Sequence, residues 1–463
     1  MPSKNSFSLI TSVIVLGLFI TACGIVQPPA TPSEDFINTS VAETVNAQKP
    51  ATEQPVVTET PAPPVNKPTE VPAPTDEPVL NPLAVAFVSP NHNAYYWDES
   101  LAAPIQLTST NDVQEAIVSP DGARIALVRS TDWTTYALDV INADASGLRN
   151  LVLPAGFAAL PRPDDSIASV PDQVSWVPGS EMLAMTTRNT FEGPGSSSGE
   201  SLFLIDSSTS AMSILLTVES EWSWGFTYSP DGSLIAISRP EGLDIYNADG
   251  TLVVADLVTY PFVNTASEYA WIPEVTWSAD GTALAFTVPP QDPWTFTPAA
   301  SSVYYWNTAQ PTAALNFTAE MTYWPMEIAS IAPDLSKLLY LVREGAPEDN
   351  RYALNLVNLD GSGTQQIAIG ELHNLPEWST DGSSFYYHSD SEEAFITQPG
   401  SPPVAYPTFN QVRNVQWIDT ERFLGVGGPT GGWQLMLGST TSPAMVIYSS
   451  PTGTDQIKFT TNR

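Results

Sequence analysis

The stretch VTWSADGTALAF (275–286) is one copy of a phrase that this chain repeats. AIVSPDGARIAL begins at Ala116, FTYSPDGSLIAI at Phe226 and PEWSTDGSSFYY at Pro376. Aligned on the acidic residue of the turn, the copies fall at Asp121, Asp231, Asp280, Asp334 and Asp381. Degenerate copies sit at Gly179 (VSWVPGSEMLAM) and Asp419 (VQWIDTERFLGV), so successive intervals run from 38 to 58 residues. That period suits β-propeller repeats and is too long for most helical solenoids.

Each copy reads as four short β-runs separated by turns. In the copy at Asp231 these are FTYS, a PDG turn, SLIAIS, LDIYN, an ADG turn and TLVVADL. Proline presets φ for such a turn, Asp bonds the amides that follow it, and Gly accepts the positive φ of the reversal. Four antiparallel strands make one blade, which buries its faces only by stacking on neighbours around a ring. Trp176, Tyr228, Trp277, Trp378 and Trp417 share one position before the turn. Regular recurrence in an inner strand is what blade-to-blade packing requires, so these rings are assigned to the core.

The pattern W-S-P-D-G-x-x-[LI]-A-[FIL], as in Trp277 to Phe286 and Tyr228 to Ile237, resembles the Trp-Asp-repeat-like propeller repeat of TolB-type proteins. The resemblance covers nearly all of residues 83–463 and implies an all-β, extracytoplasmic propeller. It says little about function, because such repeats serve scaffolds, sugar binders and the gating propellers of peptidases. The first segment (LAVAFVS, AYYWD, PIQLT) supplies three strands with no inner strand before them, and a spare strand, DQIKFTT, follows the last copy from Asp455. Joining the two closes a ring of eight blades, seven being the alternative, and a closed ring removes open sheet edges.

The opening residues are of another kind. MPSKNSFSLITSVIVLGLFITACG carries one Lys, an apolar run from Leu9 to Ile20 and small residues before Cys23. The run is too short for a stable membrane span and has the form of a secretory signal peptide, residues 1–22. Ile20-Thr21-Ala22-Cys23 resembles the lipobox of bacterial lipoproteins, which implies an acylated (palmitate-type) mature N-terminus at Cys23, the only Cys in the chain. Residues 23–82 hold 13 of the 43 Pro, eight acids, two Lys and one aromatic, Phe36. Such a stretch cannot bury enough apolar surface to offset its ordering entropy, so it is expected to be a tether. The expected placement is the cell membrane, lipid-anchored on the extracytoplasmic side.

The formal charge is −34, of which +1 precedes Cys23 and −6 belongs to the tether, leaving −29 for the rest. That excess repels phosphate backbones, which excludes nucleic acid as a partner and leaves cationic ligands, metal ions and neutral glycans. No enzyme is expected. His92, His373 and His388 form no ligand-like pair, no nucleophile elbow is present, and neither a metal nor a cofactor is called for. A glycoside hydrolase built on two carboxylates is the catalytic alternative.

Loop length carries the functional signal. The A–B and C–D turns are short, whereas insertions fall in B–C loops (189–200, 289–301, 343–351) and D–A connections (154–171, 259–271). In an up-and-down blade those two kinds of connection share one face of the disc, and binding residues concentrate on long loops over a rigid scaffold. Their aromatics and acids point to a glycan or protein ligand, with Trp222, Trp224, Trp294 and Trp324 as the candidate contacts. A monomeric, membrane-tethered binding protein is the resulting expectation, with a scaffold of an envelope complex as the competing one.

Overall fold

The computed structural model describes residues 82–462 except 194–195, 221, 267–268, 293–299, 323–328, 347–350, 373–374, 390–392, 410–411, 428–431 and 451–455. Among the described residues eight antiparallel sheets are blades with strands A to D, in sequence order in blades 2 to 8, and blade 3 carries a short fifth strand. Blade 2 has strands Val113–Val118, Arg124–Ser130, Tyr136–Asn142 and Arg149–Val152, and blade 3 has Ala168–Trp176, Met182–Thr190, Ser201–Asp206 and Met212–Thr217. Strand A of blade 4 is Gly225–Tyr228, of blade 5 Thr276–Trp277, of blade 6 Ala329–Ile331, of blade 7 Glu377–Trp378 and of blade 8 Val412–Trp417. Eight blades replace the seven-blade alternative.

Blade 1 is closed by the two ends of the propeller. Its strands B to D are Ala84–Val88, Ala94–Asp98 and Ile105–Gln106, and its strand A is the C-terminal Lys458–Thr461, paired through Val85↔Thr461 to Val88↔Lys458. Asn462 fastens the join, its side chain accepting from the Ala84 amide at 2.9 Å and donating to the Pro82 carbonyl at 2.9 Å. Pro82 and Asn462 thus stand where the A–B turn of blade 1 would be.

The repeated phrase is the joint between blades. In blade 4 Ser229 Oγ donates to Asp231 Oδ1 at 2.6 Å, and the Ser233 amide donates to the same carboxylate at 3.1 Å. The Leu234 amide then donates to Ser229 Oγ at 3.0 Å. Gly281, φ +69°, shows why the turn needs glycine, since a Cβ there would lie 2.8 Å from Asp231 Oδ1 of the preceding turn. The turns therefore stack on one another around one face of the disc.

The recurring aromatic does the same for the interior. The indole N–H of Trp176 donates to the Ile117 carbonyl at 3.0 Å, and that of Trp277 to Thr227 at 3.4 Å. Trp378 reaches Ser330 at 3.0 Å and Trp417 reaches Glu377 at 2.9 Å. In every case the acceptor lies on the inner strand of the preceding blade. Tyr228 occupies the position in blade 4, and its buried hydroxyl has no partner. Apolar clusters fill all eight seams, including the one that packs Phe87 and Trp97 of blade 1 on Leu424 and Leu435 of blade 8.

The outer D strands are open edges, and exposed Ile214, Leu252, Leu315, Ile369, Val404 and Val446 lie on them. Six of the eight C–D pairings carry a register shift, in blades 2, 3, 4, 5, 6 and 8. In blades 1 and 7 the D strand is only two residues long. Both devices deny a neighbouring chain a flat edge on which to pair.

Candidate functional site at the long-loop face and channel

The A–B and C–D turns run four to six residues throughout, whereas the D–A connections 153–167 and 260–275 run to fifteen and sixteen. All added structure is on the B–C and D–A side, as expected. A short helix, Pro154–Ala158, lies between blades 2 and 3, and Ser196–Ser198 extends the B–C end of blade 3. A two-stranded ribbon, Asn264–Ala266 with Tyr269–Ala270, stands between blades 4 and 5. Pro82 lies on the opposite, short-turn face, beside the pairing of the first and last strands.

The four candidate tryptophans fare differently. Trp222 is half-buried on the D–A connection into blade 4, with its ring 5.0 Å from that of Phe262. Trp224 is a correction, because it is 2 % exposed and its indole N–H is spent on the Gly199 carbonyl at 2.8 Å. It pins the blade 3 extension to blade 4 and offers no open ring. Trp294 and Trp324 lie outside the described residues. Phe157 and Trp271, from the same connections, are also core residues.

Trp271 nevertheless borders a cleft. It follows the ribbon, and with Glu274, Thr276, Ser330, Leu375 and Glu377 it lines a space of about 230 Å³ along the inner strands of blades 5, 6 and 7. The N-terminal ends of inner strands lie at the D–A face, so Trp271, Glu274, Leu375 and Pro376 mark its mouth on the elaborated side. A second hollow of about 440 Å³ continues past Glu377 to Asn414, Gln416, Lys458 and Phe459 of blades 8 and 1. Together they are the wall of the central channel.

Further carboxylates stand on the inner strands. Glu115 and Asp172 come from the inner strands of blades 2 and 3, facing Lys458 and Arg188. Crowding by the strands pushes the Glu115 carboxyl above its usual range; nearby Lys458 opposes the shift and Asp172 adds to it. Asp172 is raised by the same burial, against the pull of Arg188 at 3.8 Å. None of these acids was foreseen, although a charge within four residues of the inner-strand aromatic position is a usable signal. Among the described residues, no group of three or more His, Cys, Asp or Glu could hold a metal ion. His388 Nε2 meets the Tyr386 hydroxyl at 2.7 Å, and His92 Nδ1 lies 3.2 Å from the Val113 carbonyl. His373 is outside the described residues.

No family model matches the sequence, and no curated protein does either. Among solved structures the chain is similar to a eukaryotic initiation factor, with a TM-score of 0.50 and 12 % identity over 80 % of this chain and 84 % of that one. It is similar to TolB from Acinetobacter baumannii at a TM-score of 0.33 and 18 % identity, covering 63 % and 65 %. An oligogalacturonate lyase solved with manganese gives 0.43 and 11 %, covering 78 % and 98 %. At 12 % identity the first of these likenesses speaks for the fold alone, and the other two, with TM-scores below 0.5, carry no argument.

Proposed function

We infer that this protein is a non-catalytic binding propeller, lipid-anchored through Cys23 outside the cytoplasmic membrane, that takes its ligand at the long-loop mouth of the channel. One observation carries the reading: every insertion beyond the four-strand blades lies on the face opposite Pro82, and the cleft beside Trp271 opens there. The Trp222–Phe262 pair gives that mouth a half-open aromatic surface, and Glu274 and Glu377 give it acceptors for hydroxyl or ammonium donors. A neutral glycan or a basic peptide suits this chemistry, and an anionic polymer does not.

Tryptophan fluorescence titrated with neutral oligosaccharides and with basic peptides tests the site. Trp222→Ala is expected to weaken the bound class about tenfold without shifting the melting temperature. Binding that falls with ionic strength identifies the basic peptide, and salt-independent binding identifies the glycan. A ligand crosslinked to the short-turn face overturns the assignment. For the anchor, Cys23→Ala is expected to leave the protein unprocessed or released to the medium, and a processed variant still sedimenting with membranes overturns it.

A further inference from the structure

We propose that the apolar end of blades 2 and 3, around Trp133, is a docking surface for a basic amphipathic segment of another protein. Most large exposed apolar side chains of this molecule belong to the outer D strands and the turns that lead into them. Trp133, Leu153 and Ile167 do not, with 61, 55 and 38 % of their surfaces exposed. All three lie on the long-loop face, Trp133 in the B–C loop of blade 2 and the others at the two ends of the connection from blade 2 to blade 3. That connection is held down by Phe157, buried in the seam with Tyr136 and Leu160 against it. Its outer side presents Leu153, Pro154, Ala155, Ala158 and Ala159 without a charge among them. This surface is separate from the Trp222 and Glu274 mouth.

The loop holds Trp133 ready. Asp132 Oδ1 accepts from the amides of Thr134 and Thr135, each at 2.8 Å, and the Ser130 hydroxyl donates to the Asp132 carbonyl. An exposed indole on a fixed loop loses little freedom when a partner covers it, which is the property of a binding anchor. The surroundings select the partner. Asp132, Asp164 and Asp165 are exposed around the apolar surface, and the nearby Arg162 guanidinium is turned onto the carbonyls of Ser166 and Ile167. A second copy, with a net charge of −34, would bring the same acids against themselves, and an anionic membrane is repelled for the same reason. An apolar stripe bordered by Lys or Arg matches both the centre and the rim.

Three synthetic peptides of equal length, one Leu/Lys amphipathic, one Ser/Lys of the same charge and one Leu/Glu amphipathic, are titrated against the full chain. The expected result is that Leu/Lys binds at least about tenfold tighter than Ser/Lys, that Leu/Glu does not bind, and that Trp133→Ala abolishes the Leu/Lys advantage. Val404→Ala, which trims an exposed side chain on the outer rim, and Trp222→Ala, at the channel mouth, are both expected to keep it. Equal affinity for Leu/Lys and Ser/Lys, retention in Trp133→Ala, or loss in Trp222→Ala overturns the proposal. So does Trp133-dependent self-association in sedimentation, or Trp133-dependent binding to phosphatidylcholine vesicles without peptide binding.

Discussion

The seam between blades 3 and 4 lacks a bond that four other seams possess, and this difference predicts opposite signs for one chemical change. At Trp176 the substitution to Phe removes the indole N–H that reaches Ile117 and the outer ring of the indole. A hydrogen bond of that kind is worth about 1 kcal/mol net, and roughly 40 Å² of lost apolar area adds about 1 kcal/mol, so Trp176→Phe should destabilise by about 2 kcal/mol. At Tyr228 the substitution to Phe removes only a buried hydroxyl that has no partner and whose pKa burial pushes up to about 12. Leaving such a group unsatisfied costs about 1–3 kcal/mol, so Tyr228→Phe should stabilise by about 1 kcal/mol. Urea denaturation followed by tryptophan fluorescence reads both, as midpoints moving in opposite directions at an unchanged slope. A Tyr228→Phe protein that loses as much stability as Trp176→Phe would show that the hydroxyl is bonded and refute the seam argument.

Three further outcomes follow from the same contacts. Deleting residues 454–463 removes Ile457, which is 0 % exposed, together with the four-residue pairing to blade 1, and should cost about 5 kcal/mol or more, read as early melting with aggregation. Arg129 bonds Asp112 and the fully buried Asp139, so Arg129→Ala leaves an internal carboxylate without its counter-ion, held by the Asn150 amide, and should cost about 3–5 kcal/mol by denaturant titration. The turn carboxylates Asp121, Asp231 and Asp381 are held below their usual range by hydrogen bonds, and Asp280 is lowered to about 2. Their folded pKa values lie below the unfolded value of about 3.9, so their stabilisation is present above that pH and fades as pH falls toward 2. Near-UV circular dichroism through that window should show Asp280→Asn losing less stability on acidification than the parent.

The fold was legible because one joint recurs at most seams. Seven of the eight blades use the short A–B turn and five carry the same inner-strand aromatic, and selection for that joint left Asp231, Asp280 and Asp381 in register in the sequence. Even the closure could be read, since three strands without an inner partner and one spare strand have a single way to hide their edges. The site was less legible for a physical reason. Whether a tryptophan in a connection is an open ring or a core plug depends on a partner far along the chain. Trp224 is buried because Gly199, twenty-five residues earlier, offers its carbonyl from an extension that no repeat encodes. Trp133 is exposed because Asp132 caps its own loop and the described residues leave most of the ring uncovered. Both sit in connections of similar composition, so pattern alone ranks them equally.

The channel acids make the complementary point. Glu115 and Asp172 hold the exposed position of strands that otherwise pack apolar groups, so each carboxylate stands off the packing faces. Because crowding by the strands raises both carboxyls, each ionised side chain disfavours the folded state once pH rises above its unfolded value, opposite in sign to the turn aspartates. Turn carboxylates that stabilise the ring and channel carboxylates that strain it therefore separate by face and by sign. A cationic ligand seated among the latter would relieve that strain, so binding there should raise stability most at neutral pH and least near pH 4. Melting temperatures of the parent measured with and without a basic peptide across that range, beside Glu115→Gln, decide it. A ligand effect independent of pH, or unchanged in Glu115→Gln, would place the bound cation away from the channel.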